Sequence, residues 1–330
     1  MGDVILTTPL IRALHNAFPN AQITYLAETP YIFLLENHPL VHQLIPFDIK
    51  SYRKLSQWRA IKEQFLFIKK IRNEHFDLAF DLFGNPRSAL QIWLSRARIR
   101  VGGDFSGRGK LYNVRVDYRN KQFNAIEFHL HALKTIGIEI IENPRTEIFT
   151  SPQEDEWAKN YLLSKGINLE EPIIGIHSAA SWPAKKWLLE RFTELVRRLT
   201  RELNFQVYLT QGPNEQNLID EIKSQVTSNV FTGGVLTVRQ LAAILKQFSL
   251  YVSNDCGPLH LSIAVGTRSI GIFGPSEPHI WFPYSRSDGH RYIHHPQSCW
   301  PCHKDFCETL DCMKAITVEE VISVIKDSLR

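Results

Sequence analysis

No apolar run in this 330-residue sequence approaches the roughly 20 residues a helix needs to cross a bilayer. A membrane-spanning helix is thereby excluded as its organising feature, and a soluble protein is expected. The opening residues, Met1-Gly2-Asp3-Val4-Ile5-Leu6, place no basic segment before the apolar ones and no Ser or Thr at position 6. Neither an export signal nor a myristoyl anchor is therefore expected. Cysteine is scarce, five in all, too few for a disulfide scaffold at this length, so a reducing cytoplasm is the expected compartment. Repeats at solenoid period and low-complexity segments are also missing, which removes stacked-repeat architectures.

What is present is ordinary in amount and informative in order. Hydrophobic residues at 44% and charged residues at 22% are typical of globular chains, and the length suits two cores better than one. Short β-rich runs alternate with amphipathic stretches, the pattern of parallel sheets covered by helices. In the N-terminal half, strands are expected at 23–27 and 78–82 and helices at 9–17, 58–72 and 125–136. Beyond Pro172, strands are expected at 173–177, 206–209, 230–232, 250–253 and 269–273, with helices at 188–203, 215–225, 238–246 and 258–264. This reads as an α/β protein of two Rossmann-like, doubly wound domains, 1–150 and 151–330, joined near Pro144 and a helix start at Ser151-Pro152.

The net charge of +4 is unevenly spread. Residues 50–121 hold 17 Lys and Arg against 6 Asp and Glu, among them Arg53, Lys54, Lys69, Lys70, Arg96, Arg98, Arg100, Arg108 and Lys110. One reading is a solvated face of basic helices; the other is a surface for anionic lipid headgroups or a phosphorylated acceptor. No nucleic-acid module accompanies the charge, so a nucleic-acid partner is not expected.

Ligands of doubly wound sheets bind beyond the carboxyl ends of the strands. Here those ends are small, polar and glycine-containing: His177-Ser178-Ala179-Ala180-Ser181, Thr210-Gln211-Gly212, Thr232-Gly233-Gly234, Asn254-Asp255-Cys256-Gly257 and Gly274-Pro275-Ser276. Any one is ordinary turn chemistry; five together suggest a binding floor. In Asp255-Cys256-Gly257-Pro258-Leu259-His260, a carboxylate at a strand end precedes a helix start, whose free N–H groups suit a phosphate. His260 could reach a diphosphate and Asp255 sugar hydroxyls. The plainer alternative is an N-cap followed by a buried histidine. Lys185 and Lys186, after another strand end, could neutralise a departing nucleotide or simply lie exposed on a loop.

Four motifs, in order, resemble glycosyltransferase family 9. They are Gly2-Asp3-Val4-Ile5-Leu6-Thr7-Thr8-Pro9-Leu10 with Phe18-Pro19-Asn20-Ala21; Pro183-Ala184-Lys185-Lys186-Trp187; Ser253-Asn254-Asp255 with Gly257-Pro258-Leu259-His260; and Phe273-Gly274-Pro275. The resemblance spans essentially the whole chain. It implies a GT-B architecture, with the two domains facing across a cleft. It also implies metal-independent, inverting transfer of heptose from ADP-heptose to an acidic inner-core glycolipid of lipopolysaccharide, at the cytoplasmic face of the inner membrane and with only peripheral membrane contact. By the same resemblance Asp3 is the general base, which agrees with inversion needing one base opposite the leaving group. Lys185 would stabilise the diphosphate, and Ser181, Asp255, Cys256, Gly257 and His260 would contact the donor. Glu215 would bind the ribose and Leu236 would line the adenine site; the basic run, independently of the resemblance, offers Arg96, Arg98 and Arg100 as acceptor contacts.

Three departures accompany the resemblance. The family has a β-strand ahead of the Gly-Asp pair, whereas this sequence begins there, so the N-terminal sheet is expected to lack its first strand and Asp3 to sit in a tight loop. The loop after His177 reads Ser-Ala-Ala-Ser rather than Pro-Gly-Ala-Ser, and Cys256 replaces a Thr or Ser. Finally, Cys299, Cys302, Cys307 and Cys312 have the Cys-x-x-Cys start of a zinc site but a wider second pair. A structural zinc clip, paired disulfides and plain thiols all remain open readings of that tail. The competing functions are a family 9 enzyme for another nucleotide sugar or surface glycan, and a non-catalytic protein binding sugar nucleotides or lipid surfaces.

Overall fold

The computed structural model describes every residue except Arg53, Asn120, Ile141 and Thr227; Arg53, one of the basic run, thus lies outside the described residues. The chain divides into two compact units. One consists of Leu6–Ile32 and Pro39–Pro144, the other of Met1–Ile5, Phe33–His38 and Arg145–Arg330. The division falls at Arg145, and two short N-terminal segments go with the C-terminal residues.

In the first unit β1 (Thr24–Glu28) pairs in parallel with β2 (Gln43–Phe47), while β3 (Leu78–Asp81), β4 (Ile99–Gly103) and β5 (Val114–Val116) form a second parallel sheet. Among the described residues these are two sheets rather than one. Helix starts are chemically marked: Asn85 caps Pro86–Ser95 and Asn124 caps Ala125–Lys134, each through a reciprocal box with the third helical residue. Asp81, buried at the carboxyl end of β3, accepts from the Gly84 amide at 2.8 Å, the Ser88 hydroxyl at 3.0 Å and the Tyr112 hydroxyl at 2.7 Å. That carboxylate therefore organises its own loop.

The second unit holds a six-stranded, all-parallel sheet: β6 (Ile173–His177), β7 (Gln206–Gln211), β8 (Val230–Val235), β9 (Leu250–Asn254), β10 (Ser269–Phe273) and β11 (Arg291–His294), in spatial order β11-β10-β9-β6-β7-β8. Every residue of β6, β7, β9 and β10 is buried, as expected when helices cover both faces of a parallel sheet. The helix Leu189–Arg201 buries Phe192, Leu195, Val196 and Leu199, spaced i, i+3, i+4, i+7, against this sheet. The helix Val318–Leu329 adds Val321, Ile322 and Ile325 to the same core.

The chain runs outward from β6 through β7 to β8, then returns and runs the other way from β9 through β10 to β11. The order reverses between β6 and β9, and such a switch point leaves a crevice beyond the strand ends where ligands of this fold class bind.

Candidate active site

The two strands at the switch point end in His177 and Asn254, and the residues that follow are tied together. Asn254 is fully buried. Its side-chain NH2 donates to the Ser178 carbonyl at 2.9 Å, and its carbonyl accepts from the Trp187 amide at 3.0 Å. One amide thus holds both ends of the 178–187 loop beside β9. Trp187 anchors the far end in the core, donating its indole N–H to the Ile316 carbonyl at 3.1 Å.

That loop delivers Lys185. Its ammonium lies 2.6 Å from Asp255 Oδ2 and 4.7 Å from the Trp182 ring centroid, a cation–π contact. The Ser276 hydroxyl donates to the same carboxylate oxygen at 2.6 Å. With its side chain only 5% exposed, Asp255 is held by these two partners; in this structure it positions the lysine rather than standing open for sugar hydroxyls.

Cys256 precedes the helix Gly257–Ala264, with Pro258 in its first turn. Burial pushes the Cys256 thiol up to about 12, and its sulfur lies 3.2 Å from Ser253 Oγ. Burial thus favours the neutral thiol over the thiolate.

His260, on the same helix, is buried and pushed down to about 4, mainly by loss of solvent; Asp255 and Asp3 pull the other way, and Lys185 adds to the depression. The ring is therefore neutral at physiological pH. Nδ1 lies 2.7 Å from the Tyr284 hydroxyl, whose own pKa burial raises. This hydrogen bond ties the ring to the phenol, the imidazole tautomer setting which of the two donates.

Nε2 faces the N-terminal residues. A Cβ at Gly2 would sit 3.2 Å from His260 Cδ2 and 3.7 Å from Nε2, and one at Gly257 would sit 2.9 Å from the Met1 Cβ. The two glycines thus let residues 1–3 pack on the first turn of the Gly257–Ala264 helix. Asp3 is exposed and lies in the first turn of a helix, Gly2–Leu6, with Val4, Ile5 and Leu6 buried behind it. The expected tight loop is corrected: three consecutive apolar residues gain more by burial in a helical turn, closed by the Ile5 amide on the Met1 carbonyl at 3.3 Å.

The other predicted residues fall on neighbouring strand ends. Glu215, at the start of the helix Gln216–Gln225 after β7, accepts from the Gly212 amide at 2.5 Å and lies 3.8 Å from His177 Nε2. His177, whose pKa burial lowers, is also bonded through Nδ1 to the Thr210 carbonyl at 3.1 Å. Leu236 follows β8 half-buried, and Ser181 is exposed in the loop after β6.

The arginines lie elsewhere. Arg96 ends the helix Pro86–Ser95 in the left-handed conformation, Arg98 is exposed, and Arg100 lies at the start of β4, the end opposite the strand carboxyl termini. Arg96 and Arg100, with Arg72, Trp93 and Leu94, line a pocket of about 300 Å³.

The zinc reading of the cysteine tail finds no support in the side-chain arrangement. Among the described residues no three His, Cys, Asp or Glu side chains converge as a metal ion requires. All the cysteines are free thiols, with Cys299 exposed and Cys302, Cys307 and Cys312 half-buried.

Sequence reasoning did not give a site role to Asn254, Ser276 or Tyr284. The first two sit inside quoted strand-end motifs, which was the available signal; Tyr284 carries none.

An α/β protein of two parallel-sheet units, with a lysine, a neutral histidine and carboxylates gathered at a sheet switch point, belongs to the GT-B class of glycosyltransferases in its fold. Residues 65–311 match glycosyltransferase family 9 (heptosyltransferase), and the chain belongs to that family. Lipopolysaccharide heptosyltransferase 3 of Escherichia coli is 26% identical over 294 residues, covering 87% of this chain and 84% of that one. A lipopolysaccharide core heptosyltransferase of Haemophilus influenzae is 24% identical, covering 87% and 80%. Among solved structures, a family 9 glycosyl transferase of Veillonella parvula superposes with a TM-score of 0.86 at 23% identity, covering 99% of this chain and 94% of that one. The E. coli ADP-heptose lps heptosyltransferase II gives 0.80 at 21% identity, covering 99% and 95%.

Proposed function

We propose that the protein is an inverting heptosyltransferase that moves heptose from ADP-heptose to the inner core of lipopolysaccharide, onto a lipid A–Kdo or heptosyl acceptor. One observation carries the reading: in a family 9 chain, Lys185 pairs with Asp255 at 2.6 Å where β9 ends, and Gly2, the neighbour of Asp3, packs against the His260 ring on the helix that follows. The relatives named as lipopolysaccharide heptosyltransferases support the choice of sugar and acceptor.

In this reading Asp3 accepts the proton of the acceptor hydroxyl as its oxygen bonds to the anomeric carbon from the face opposite the diphosphate. The bond from that carbon to the phosphate oxygen breaks, and ADP leaves with the electron pair. Lys185, the Nε2 edge of His260 and the Gly257 amide at the start of the Gly257–Ala264 helix meet the charge developing on the diphosphate. Gly257 lets the backbone approach it, Cys256 and Ser181 flank it, Glu215 takes the ribose and Leu236 the adenine. No metal ion is assigned a role. The unit built from residues 6–32 and 39–144 receives the acidic acceptor, with Arg96, Arg98 and Arg100, away from the strand carboxyl ends, meeting charges of that acceptor remote from its reacting hydroxyl. The enzyme works at the cytoplasmic face of the inner membrane, held there peripherally.

Calorimetric titration with ADP-heptose and with uridine and guanosine diphosphate sugars tests the donor assignment: ADP-heptose should bind at least tenfold more tightly. Equal or reversed preference would favour another nucleotide sugar. Charge reversal at Arg96, Arg98 and Arg100 should raise the acceptor KM and flatten its salt dependence; unchanged values would remove those residues from the acceptor site.

A further inference from the structure

The helix Gln57–Asn73 carries two apolar stripes, and the fold uses only one. Ile71 is buried, Ile68 is half-buried, and Phe67 packs on Phe47 with ring centroids 5.0 Å apart. The second stripe, Trp58, Ile61 and Phe65, follows the i, i+3, i+7 spacing of one helix face yet is 83%, 59% and 67% exposed. Leu66 on the same helix, and Leu90 and Trp93 on the adjoining Pro86–Ser95 helix, are exposed as well. Soluble surfaces scatter large apolar residues singly; a contiguous set marks a docking surface.

The charges beside the stripe identify the occupant. Arg59, Lys62, Lys69 and Lys70 are all exposed on this helix, and Glu63 is its one acidic residue. A second copy docked by the same face would set these cations against their own equivalents, because a two-fold interface is self-complementary. An anionic bilayer has the opposite charge and an apolar interior reachable by Trp and Phe. Interfacial helices have this composition: Lys and Arg on one side, Trp, Phe and Leu on the other.

We infer that this face docks on an anionic phospholipid surface, with Trp58, Ile61 and Phe65 entering the headgroup boundary and Arg59, Lys62, Lys69 and Lys70 against the phosphates. The inference deepens the proposed function, resting on it only for the expectation of a membrane-borne acceptor, and names the surface that would hold the enzyme there.

Co-sedimentation tests it, using vesicles of phosphatidylcholine alone and of phosphatidylcholine mixed with phosphatidylglycerol, at low and high salt. The protein should pellet with the mixed vesicles only, and salt should release part of it. Trp58→Ser with Phe65→Ser, and Arg59→Glu with Lys62→Glu, should each lower the partition coefficient about tenfold. All four side chains are exposed, and unchanged circular dichroism and ADP-heptose affinity would certify folding. Equal pelleting of wild type and both double variants, or none with either vesicle, would overturn the inference. So would a wild-type dimer in ultracentrifugation that Trp58→Ser with Phe65→Ser converts to monomer. Because the vesicles contain no glycolipid and the assay reads no turnover, failure here leaves the proposed reaction standing. Loss of transfer to a deacylated, soluble acceptor would instead count against that reaction.

Discussion

Asp255 and Lys185 form an ion pair whose side chains are 5% and 17% exposed, so each partner depends on the other for the loss of its hydration. Removing one leaves the other as an uncompensated buried charge, at a cost of about 3–5 kcal/mol, whereas removing both costs much less. Lys185→Met should therefore destabilise more than Lys185→Met combined with Asp255→Asn in chemical denaturation; additive losses would show that the two do not act as a unit. His260 gives a second prediction at this scale. Its folded pKa, about 4, lies below the ordinary 6.5, so the unfolded chain binds its proton first as the pH falls. The stability that neutral His260 contributes is complete above about pH 6.5 and lost on descent to about pH 4, on the order of 3 kcal/mol in all. Denaturation from pH 7 to 4.5 should show that slope, and His260→Gln should flatten it; equal slopes would place the acid sensitivity elsewhere, His290 being the next candidate since burial also pushes it down to about 4. Of these residues, Lys185, Asp255 and His260 were legible because strand-end motifs carry them. The Lys185–Asp255 pairing was not, because it depends on how a loop folds back across 70 positions of sequence.

The strands β6, β7, β9 and β10 were readable as apolar runs bounded by polar, glycine-containing ends, since burial on both faces removes any alternation. Gly175 shows how tightly that sheet is covered: a Cβ there would sit 2.3 Å from Phe248 and 2.6 Å from Tyr251. Gly175→Ala should cost about 1–3 kcal/mol of stability, through displacement of those rings, when measured by denaturant midpoint. An unaffected midpoint would mean that the rings move freely. Other elements were hidden for physical reasons. β2 contains Pro46, tolerated because among the described residues the strand pairs with β1 alone. β4 alternates Ile99, Arg100 and Val101 before two glycines, which resembles a loop. The helix Val318–Leu329, by contrast, is marked in the sequence by Thr317 and the Val318, Val321, Ile322, Ile325 spacing. The Gly2–Leu6 helix is too short for periodicity to declare it.

At the scale of the whole molecule, the sequence reading put a boundary near 150, while the structure assigns residues 1–5 and 33–38 to the unit that begins at Arg145. A buried side chain explains part of this. Arg239 donates to the Leu34 carbonyl at 3.1 Å, the Phe149 carbonyl at 2.9 Å and Glu154 Oε1 at 2.7 Å, and Asn37 adds a bond to Glu154 Oε2 at 2.7 Å. No composition shift announces such a return of the chain, because a few long-range hydrogen bonds decide it. Residues 1–5 join the unit separately, through Met1 and Gly2 packing on the Gly257–Ala264 helix, so Asp3 belongs to the same unit as Lys185, Asp255 and His260. The most direct test of the account is therefore ADP release from ADP-heptose with a lipid A–Kdo acceptor, compared between the wild-type protein and Asp3→Asn. The account predicts acceptor-dependent release, with kcat reduced at least about a hundredfold by Asp3→Asn while ADP-heptose affinity is retained. Release that Asp3→Asn leaves unchanged, or none despite donor binding, would contradict it.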